Sequence, residues 1–146
     1  MTAPPRLESA SGLRAEWNAN GSLRRIDCGA LALNLFPGNE LEGGPANLYL
    51  RRRGARIETI PLLGPRSPAH YGRSARGFAA SGEWGEVRFR VEFALAHDAA
   101  AWFWHVALGN TGRAAVELDL IHTQDLALAD YGFLRNNEFY TSHYVD

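Results

Sequence analysis

Apolar and polar residues alternate with a period of two along much of the chain, most regularly between residues 78 and 121. From residue 87 to residue 96, every second residue is a large hydrophobic one: Val87, Phe89, Val91, Phe93 and Leu95. Successive side chains of a β-strand point to opposite faces of the sheet, so this pattern predicts a strand with one buried face. Residues 102–108 are apolar on both faces and are predicted to form a central strand. Residues 114–121 alternate again and predict another strand.

Turn signals separate the earlier segments. Asn18–Gly21 lies between the apolar-rich segments 13–17 and 22–27, and the Asn-Gly pair in it tolerates the positive φ angles of a hairpin turn. Residues 47–53 and 56–63 predict a second hairpin.

The remaining segments carry weaker signals. Residues 30–36 predict a strand that ends at Pro37. Residues 64–77 contain two prolines and little periodicity and are predicted to be a long surface loop. Residues 124–130 could form one helical turn, but the chain shows no convincing amphipathic helix.

Strands at spacings of roughly 8–12 residues predict an all-β, antiparallel sandwich or barrel. The division into domains follows from the same pattern. Residues 1–12 are expected to be a flexible lead-in, and residues 13–146 to form one β-sandwich domain.

Composition excludes several classes of function. The net charge is -1 and the isoelectric point is about 6.5, so no basic surface is expected to attract nucleic acid. All 15 basic residues are arginines, which excludes lysine chemistry. The single cysteine, Cys28, excludes an internal disulfide. No run of 18 apolar residues suggests a membrane span, and the start of the chain lacks the apolar core of a signal peptide, so a cytoplasmic location is expected.

The chain lacks the usual spacings of catalytic and metal-binding motifs. Its five histidines form no H-x-x-x-H pair, one cysteine cannot form a C-x-x-C pair, and no G-x-S-x-G sequence occurs. We therefore expect no metal, no cofactor and no catalytic residue.

The most unusual composition lies between residues 130 and 144, where aromatic residues alternate with Arg, Asn, Glu, Thr and His. Proteins bind sugars with such groups, because rings cover the C–H face while planar polar groups bond the hydroxyls. The candidate saccharide-binding residues are Arg135, Asn136, Asn137, Glu138 and Tyr140. The alternative is that this segment packs on another domain, because aromatic residues and arginine are also enriched in interfaces.

Three stretches resemble a known family: residues 33–51 (LNLFPGNELEGGPANLYLR), residues 124–130 (QDLALAD) and residues 135–142 (RNNEFYTS). They are similar to the N-terminal β-sandwich domain of glycoside hydrolase family 94. The branch resembled is that of the 1,2-β-oligoglucan phosphorylases and the phosphorylase-like region of cyclic β-1,2-glucan synthases. The resemblance covers about residues 13–146.

The resemblance implies a supersandwich of the galactose mutarotase-like type. In the family, a helical linker and an (α/α)6 barrel follow, and the barrel holds the general-acid Asp and the site for inorganic phosphate, the co-substrate of an inverting reaction. No residue here matches those catalytic positions, and the family's sandwich is longer than this chain. We therefore expect an incomplete sandwich that is not an enzyme on its own and has a structural or saccharide-binding role.

The expected partners follow from this interpretation. A β-glucan oligosaccharide is the expected ligand. Open sheet edges would pair with another copy, giving a homo-oligomer, or would contact the missing barrel domain.

Two other functions stay open. A small mutarotase-like sugar epimerase would need an acid and a base on one sheet face, and the available set is His105, His122 and Glu117 or Asp125. A protein-assembly module without a sugar ligand would instead use the apolar strands and the segment 64–77.

Overall fold

The computed structural model describes residues 5–130 and 132–133. These residues form an all-β structure in which every pair of neighbouring strands is antiparallel. The strands in chain order are β1 (Arg6–Glu8), β2 (Leu13–Trp17), β3 (Leu23–Cys28), β4 (Leu31–Ala32), β5 (Ala46–Arg52), β6 (Glu58–Pro61), β7 (His70–Ser74), β8 (Gly77–Trp84), β9 (Val87–Leu95), β10 (Trp102–Asn110), β11 (Leu118–Gln124) and β12 (Ala129–Asp130). In this part of the chain, no helix is long and apolar enough to cross a membrane.

The strands form three sheets. The first is a four-stranded sheet with the order β10-β9-β8-β7, in which strands consecutive in the chain are neighbours. It contains the two most extensive strand pairings, β10 with β9 and β8 with β9. A five-stranded sheet has the order β1-β2-β3-β4-β12, and a three-stranded sheet has the order β11-β5-β6. The last two sheets each bring in a strand from far along the chain, since β12 pairs with β4 and β11 pairs with β5.

One face of the four-stranded sheet is covered by the other two sheets. Against the five-stranded sheet it buries a first cluster, to which Ala46 of β5 and Leu63 after β6 also contribute. Its members are Leu13, Ala15, Trp17, Leu23, Ile26, Ala46, Leu63, Phe78, Ala80 and Phe93. Against the three-stranded sheet it buries a second cluster: Leu48, Leu50, Leu62, Val87, Phe89 and Val91. Strand β9 contributes alternate residues to both clusters, so the chain folds as the predicted antiparallel β-sandwich.

Both hairpins predicted from the turn signals are confirmed. Strands β2 and β3 pair from Leu13 with Cys28 to Trp17 with Leu23, and Gly21 in the connecting turn has a φ of 79°. Strands β5 and β6 form the second hairpin. The alternating strand over residues 87–95 is also confirmed, because the odd-numbered residues from 87 to 93 are buried.

Other predictions for individual elements are wrong. Residues 70–74, predicted to lie in a loop, form β7; the strand is exposed on both faces and so has no apolar period. Strand β10, predicted to be central, lies at the edge of its sheet as far as the described residues show. The strand predicted over residues 30–36 is reduced to the two residues of β4. It ends five residues before Pro37, so the proline is not what ends it.

Two further segments also differ from the prediction. The helical turn predicted within residues 124–130 is replaced by an irregular stretch, with a φ of 53° at Leu128, and then by β12. Strand β1 pairs with β2, so the five-stranded sheet begins inside the segment predicted to be a lead-in.

Candidate functional site

The predicted saccharide-binding residues Arg135, Asn136, Asn137, Glu138 and Tyr140 lie outside the described residues. The chain that leads to them is described as far as residue 133. Its strand β12 pairs with β4 at the edge of the five-stranded sheet. The backbone N–H of Phe133 then donates to Oδ1 of Asp130 over 3.0 Å. The candidate segment therefore follows a point that is fixed to the sheet.

A charged pocket of about 280 Å³ opens at this same edge. Strands β2, β3 and β12 supply its charged side chains, and the turn after β3 and Gly132 complete it. The lining residues are Arg14, Arg25, Asp27, Gly29, Ala30, Asp130 and Gly132.

Asp27 is the centre of the pocket's charge network. Asp27 is only 4% exposed. Its carboxylate accepts a hydrogen bond from Nε of Arg14 at 2.5 Å and lies 3.4 Å from Nε of Arg25. Nη2 of Arg25 lies 3.0 Å from Oε1 of Glu16, to which it donates a hydrogen bond. A carboxylate removed from water is costly unless it is paired, so these guanidinium groups make its burial tolerable.

The pocket's chemistry suits a neutral polyhydroxyl ligand. The side chains of Arg14 and Arg25 stay 32% and 29% exposed, so they are only partly enclosed. Asp130, which also lines the pocket, is exposed and can accept hydrogen bonds. Donors and acceptors side by side match sugar hydroxyls, which both donate and accept.

The sequence did not predict these pocket residues, because charged residues in a strand usually belong to its solvent-exposed face. The signal that could have found them is the register of the predicted β2–β3 hairpin. Pairing across that turn places Arg14 opposite Asp27 and Glu16 opposite Arg25, so complementary charges face each other along both strands.

Two larger cavities lie elsewhere among the described residues. One of about 700 Å³ runs along the edge and outer face of the four-stranded sheet. Its guanidinium groups are already paired, Arg88 with Glu83 and Arg90 with Glu92. The hydrogen bond from Arg90 holds the pKa of Glu92 below its usual value.

The other cavity, of about 510 Å³, lies between the β5–β6 hairpin and the loop at residues 41–43. It combines the half-buried ring of Tyr49 with the charges of Glu42 and Arg66, and the exposed Leu41 lines it. In this cavity a ring and charged groups therefore occur together.

The acid–base set of the epimerase alternative is not assembled. The ring of His122 lies 6.4 Å from that of Trp104, which packs on the core, whereas His105 follows Trp104 in β10 and points to the opposite face. Oδ2 of Asp125 accepts the backbone N–H of Leu35 over 2.7 Å. Residues 5–130 and 132–133 also contain no cluster of three His, Cys, Asp or Glu residues that could hold a metal ion.

Comparison with known proteins identifies the family. The SOGP N-terminal domain family matches residues 16–146. A 1,2-beta-oligoglucan phosphorylase of Listeria innocua serovar 6a is 31% identical over 147 aligned residues, which cover 100% of this chain.

That alignment covers only 13% of the Listeria protein, so the chain spans a small part of the length of this relative. The similarity concerns the relative's N-terminal region, in agreement with the resemblance found in the sequence. With a family match over nearly all of its residues, the chain belongs to the SOGP N-terminal domain family.

Proposed function

We propose that this chain is a non-catalytic carbohydrate-associated module that binds a β-1,2-linked glucooligosaccharide through residues 135–140 and the adjoining charged pocket. The observation that carries the proposal is the match along the whole chain to the N-terminal region of a 1,2-beta-oligoglucan phosphorylase. A module of a glucan phosphorylase works beside a glucan chain, so a glucan is the first ligand to consider.

The geometry of the chain supports a combined site. Arg135 follows Gly132 by three residues, and three residues span at most roughly 11 Å even when fully extended. Because Gly132 lines the charged pocket, the length of chain between the two residues allows a ligand in the pocket to contact Arg135 as well. Tyr140 would supply the ring that covers the sugar's C–H face, which the described lining of the pocket lacks.

The charges of the pocket support a neutral sugar over an anionic ligand. Asp27 already uses the guanidinium groups of Arg14 and Arg25, and Asp130 adds a second carboxylate at the rim. An anionic ligand would meet two carboxylates, whereas hydroxyl groups can donate to them.

Calorimetric titration with β-1,2-linked glucooligosaccharides, with cellobiose as the comparison, tests the proposal. We expect linkage-selective binding, and we expect Tyr140→Ala to weaken it at least several-fold with little change in melting temperature. Tyr49→Ala is the matched control, because it removes the same ring from the cavity beside β5 and β6. It should leave the affinity unchanged.

Two outcomes would contradict the proposal. Absence of heat with every sugar would leave a structural module. Loss of binding in Tyr49→Ala but not in Tyr140→Ala would move the saccharide site to the cavity beside the β5–β6 hairpin.

A further inference from the structure

Residues 125–130 form a strap that carries the chain from β11, in the three-stranded sheet, to β4, in the five-stranded sheet. The first half of the strap is bonded to the segment that follows β4. Oδ2 of Asp125 accepts a hydrogen bond from the backbone N–H of Leu35 over 2.7 Å. The N–H of Ala127 donates to the carbonyl of Leu33 over 2.9 Å. These bonds fix the path of the chain as it leaves β11.

The second half of the strap is a short strand pairing. Strand β12 pairs with β4 over two residues, Ala129 with Ala32 and Asp130 with Leu31. The pairing buries little apolar surface, because one row joins two alanines and the other joins an exposed aspartate to a leucine that is 49% exposed. A backbone hydrogen bond contributes only a small net free energy, because it replaces bonds to water. The pairing of β12 with β4 therefore adds little stability.

The two halves of the strap meet at Leu128, whose backbone lies in the left-handed region, with a φ of 53°. Within residues 5–130 and 132–133, every other residue with a positive φ is a glycine. A leucine is strained in this region, because its Cβ comes close to the following carbonyl oxygen. The side chain of Leu128 is 65% exposed, so packing contributes little in return. The strain and the stabilisation from a two-residue pairing are of similar size, so the paired and released forms of β12 are close to balance.

The position of the strap decides whether the charged pocket is complete. Asp130 and Gly132 line this pocket together with Arg14, Arg25 and Asp27. The last three residues belong to β2 and β3 and do not depend on the strap for their place. Asp130 belongs to β12, so its place in the pocket depends on the pairing with β4. Release of β12 would therefore remove one wall of the pocket and leave the network around Asp27 in place.

We propose that the strap is a hinged wall of the charged pocket, which opens at Leu128 when β12 separates from β4 and closes on a bound saccharide. The inference rests on the proposed function and adds to it the regulation of the site. A ligand that contacts both walls binds the closed form better and shifts the population toward it. Its apparent affinity falls in proportion to the fraction of chains that are closed.

Two substitutions at the hinge shift this balance in opposite directions. Asparagine enters the left-handed region more readily than leucine, so Leu128→Asn should favour the closed strap. Valine is β-branched and enters it less readily, so Leu128→Val should favour the open strap. Leu126→Asn and Leu126→Val are the matched controls, because Leu126 is 60% exposed on the same strap and has no positive φ. Neither leucine lines the charged pocket.

Hydrogen exchange without sugar measures the opening of the strap. Protection of the amides of residues 126–130, relative to their intrinsic exchange rates, should rise about fivefold in Leu128→Asn and fall at least threefold in Leu128→Val. The two Leu126 variants should match the natural chain. Thermal unfolding of each variant checks that the sandwich itself is folded.

Calorimetric titration with β-1,2-linked glucooligosaccharides measures the coupling to binding. We expect Leu128→Val to bind at least threefold more weakly than the natural chain, because fewer chains hold the closed strap. Leu128→Asn should bind at least as tightly as the natural chain, and the Leu126 variants should bind equally. Saturating sugar should also raise the protection of residues 126–130 in the natural chain.

The two measurements separate failure of this inference from failure of the proposed function. Equal protection in all five proteins, with sugar still bound, would overturn the hinge alone. Protection that responds at Leu128 while the affinity does not would overturn the coupling. A chain that binds no sugar, yet changes its protection at Leu128, would contradict the proposed function and the coupling while supporting the hinge.

Discussion

The two core clusters of the sandwich are closed in different ways. In the first, Trp17, Phe78 and Phe93 are fully buried, and the ring of Trp17 stacks on Phe78 at 4.6 Å and meets Phe93 edge-on at 5.0 Å. The second cluster contains mainly aliphatic side chains, and partly exposed residues such as Trp84 and Val116 form its margin. The first cluster also has partly buried residues at its margin, among them Leu33 and Trp102. The two clusters therefore differ in the side chains that fill them and in the sheet that covers them.

This difference bears on stability. Stacked aromatic rings are bulky and have few rotatable bonds, so a truncation among them leaves a cavity that is poorly refilled. Aliphatic side chains can move more readily into a vacated space. The same kind of truncation should therefore cost more in the first cluster than in the second.

The largest effect is expected for Phe78→Ala. This change removes the stacking partner of Trp17 and leaves a cavity in the first cluster, so the free energy of unfolding should fall by about 3–5 kcal/mol. Urea unfolding followed by tryptophan fluorescence measures the change. A loss below about 1 kcal/mol would show that the side chains around the ring stack refill the cavity.

An intermediate effect is expected for Leu50→Ala in the second cluster, compared with Leu23→Ala in the first. Both leucines are fully buried, so the removed surface is matched. We expect a loss of about 2 kcal/mol for Leu50→Ala and about 3 kcal/mol or more for Leu23→Ala, because the stacked rings of the first cluster fill a vacated space less readily than the aliphatic side chains of the second. Equal losses from chemical denaturation would contradict the comparison.

The smallest effect is expected outside both clusters, at Asp119 on β11. Its carboxylate bonds to Arg53 at 2.9 Å and to Arg51 at 2.8 Å, and these hydrogen bonds hold the pKa of Asp119 below its usual value. The same bond raises the pKa of Arg53. A lowered carboxyl pKa stabilises the folded state above the unfolded pKa, and this stabilisation is lost as the pH falls through the folded value.

Asp119→Asn tests this contribution. The variant should melt slightly below the natural chain at neutral pH, and the difference should shrink as the pH falls below about 4. High salt should also reduce the difference, because the three side chains are partly or fully exposed. A difference that persists at low pH and in high salt would assign the effect to the amide substitution itself.

The sequence predicts those elements whose burial is one-sided. Residues 87–95 and the β2–β3 hairpin could be located because one face of each is apolar and turn residues delimit the hairpin. Strand β7 could not be located, because backbone hydrogen bonds to β8 hold it while both of its faces are exposed. For β10, apolar residues on both faces predicted a central strand, yet an open edge gives the same pattern.

The candidate site shows the same limit. Charged residues in strands do not reveal which of them share a pocket, so Arg14 and Asp27 become candidates only when the hairpin register is applied. Asp130 reaches the pocket through the pairing of β12 with β4, a contact between distant parts of the chain. No local pattern in the sequence specifies such a pairing.

Strand β9 also has a consequence for how the molecule unfolds. Its buried face runs from Val87 in the second cluster to Phe93 in the first. If either cluster unfolds, β9 loses part of its packing and the other cluster is destabilised. Two structurally different halves should therefore melt in a single cooperative transition, with the calorimetric and van't Hoff enthalpies equal per cooperative unit. The strand makes the halves one thermodynamic unit, although they are closed by different sheets.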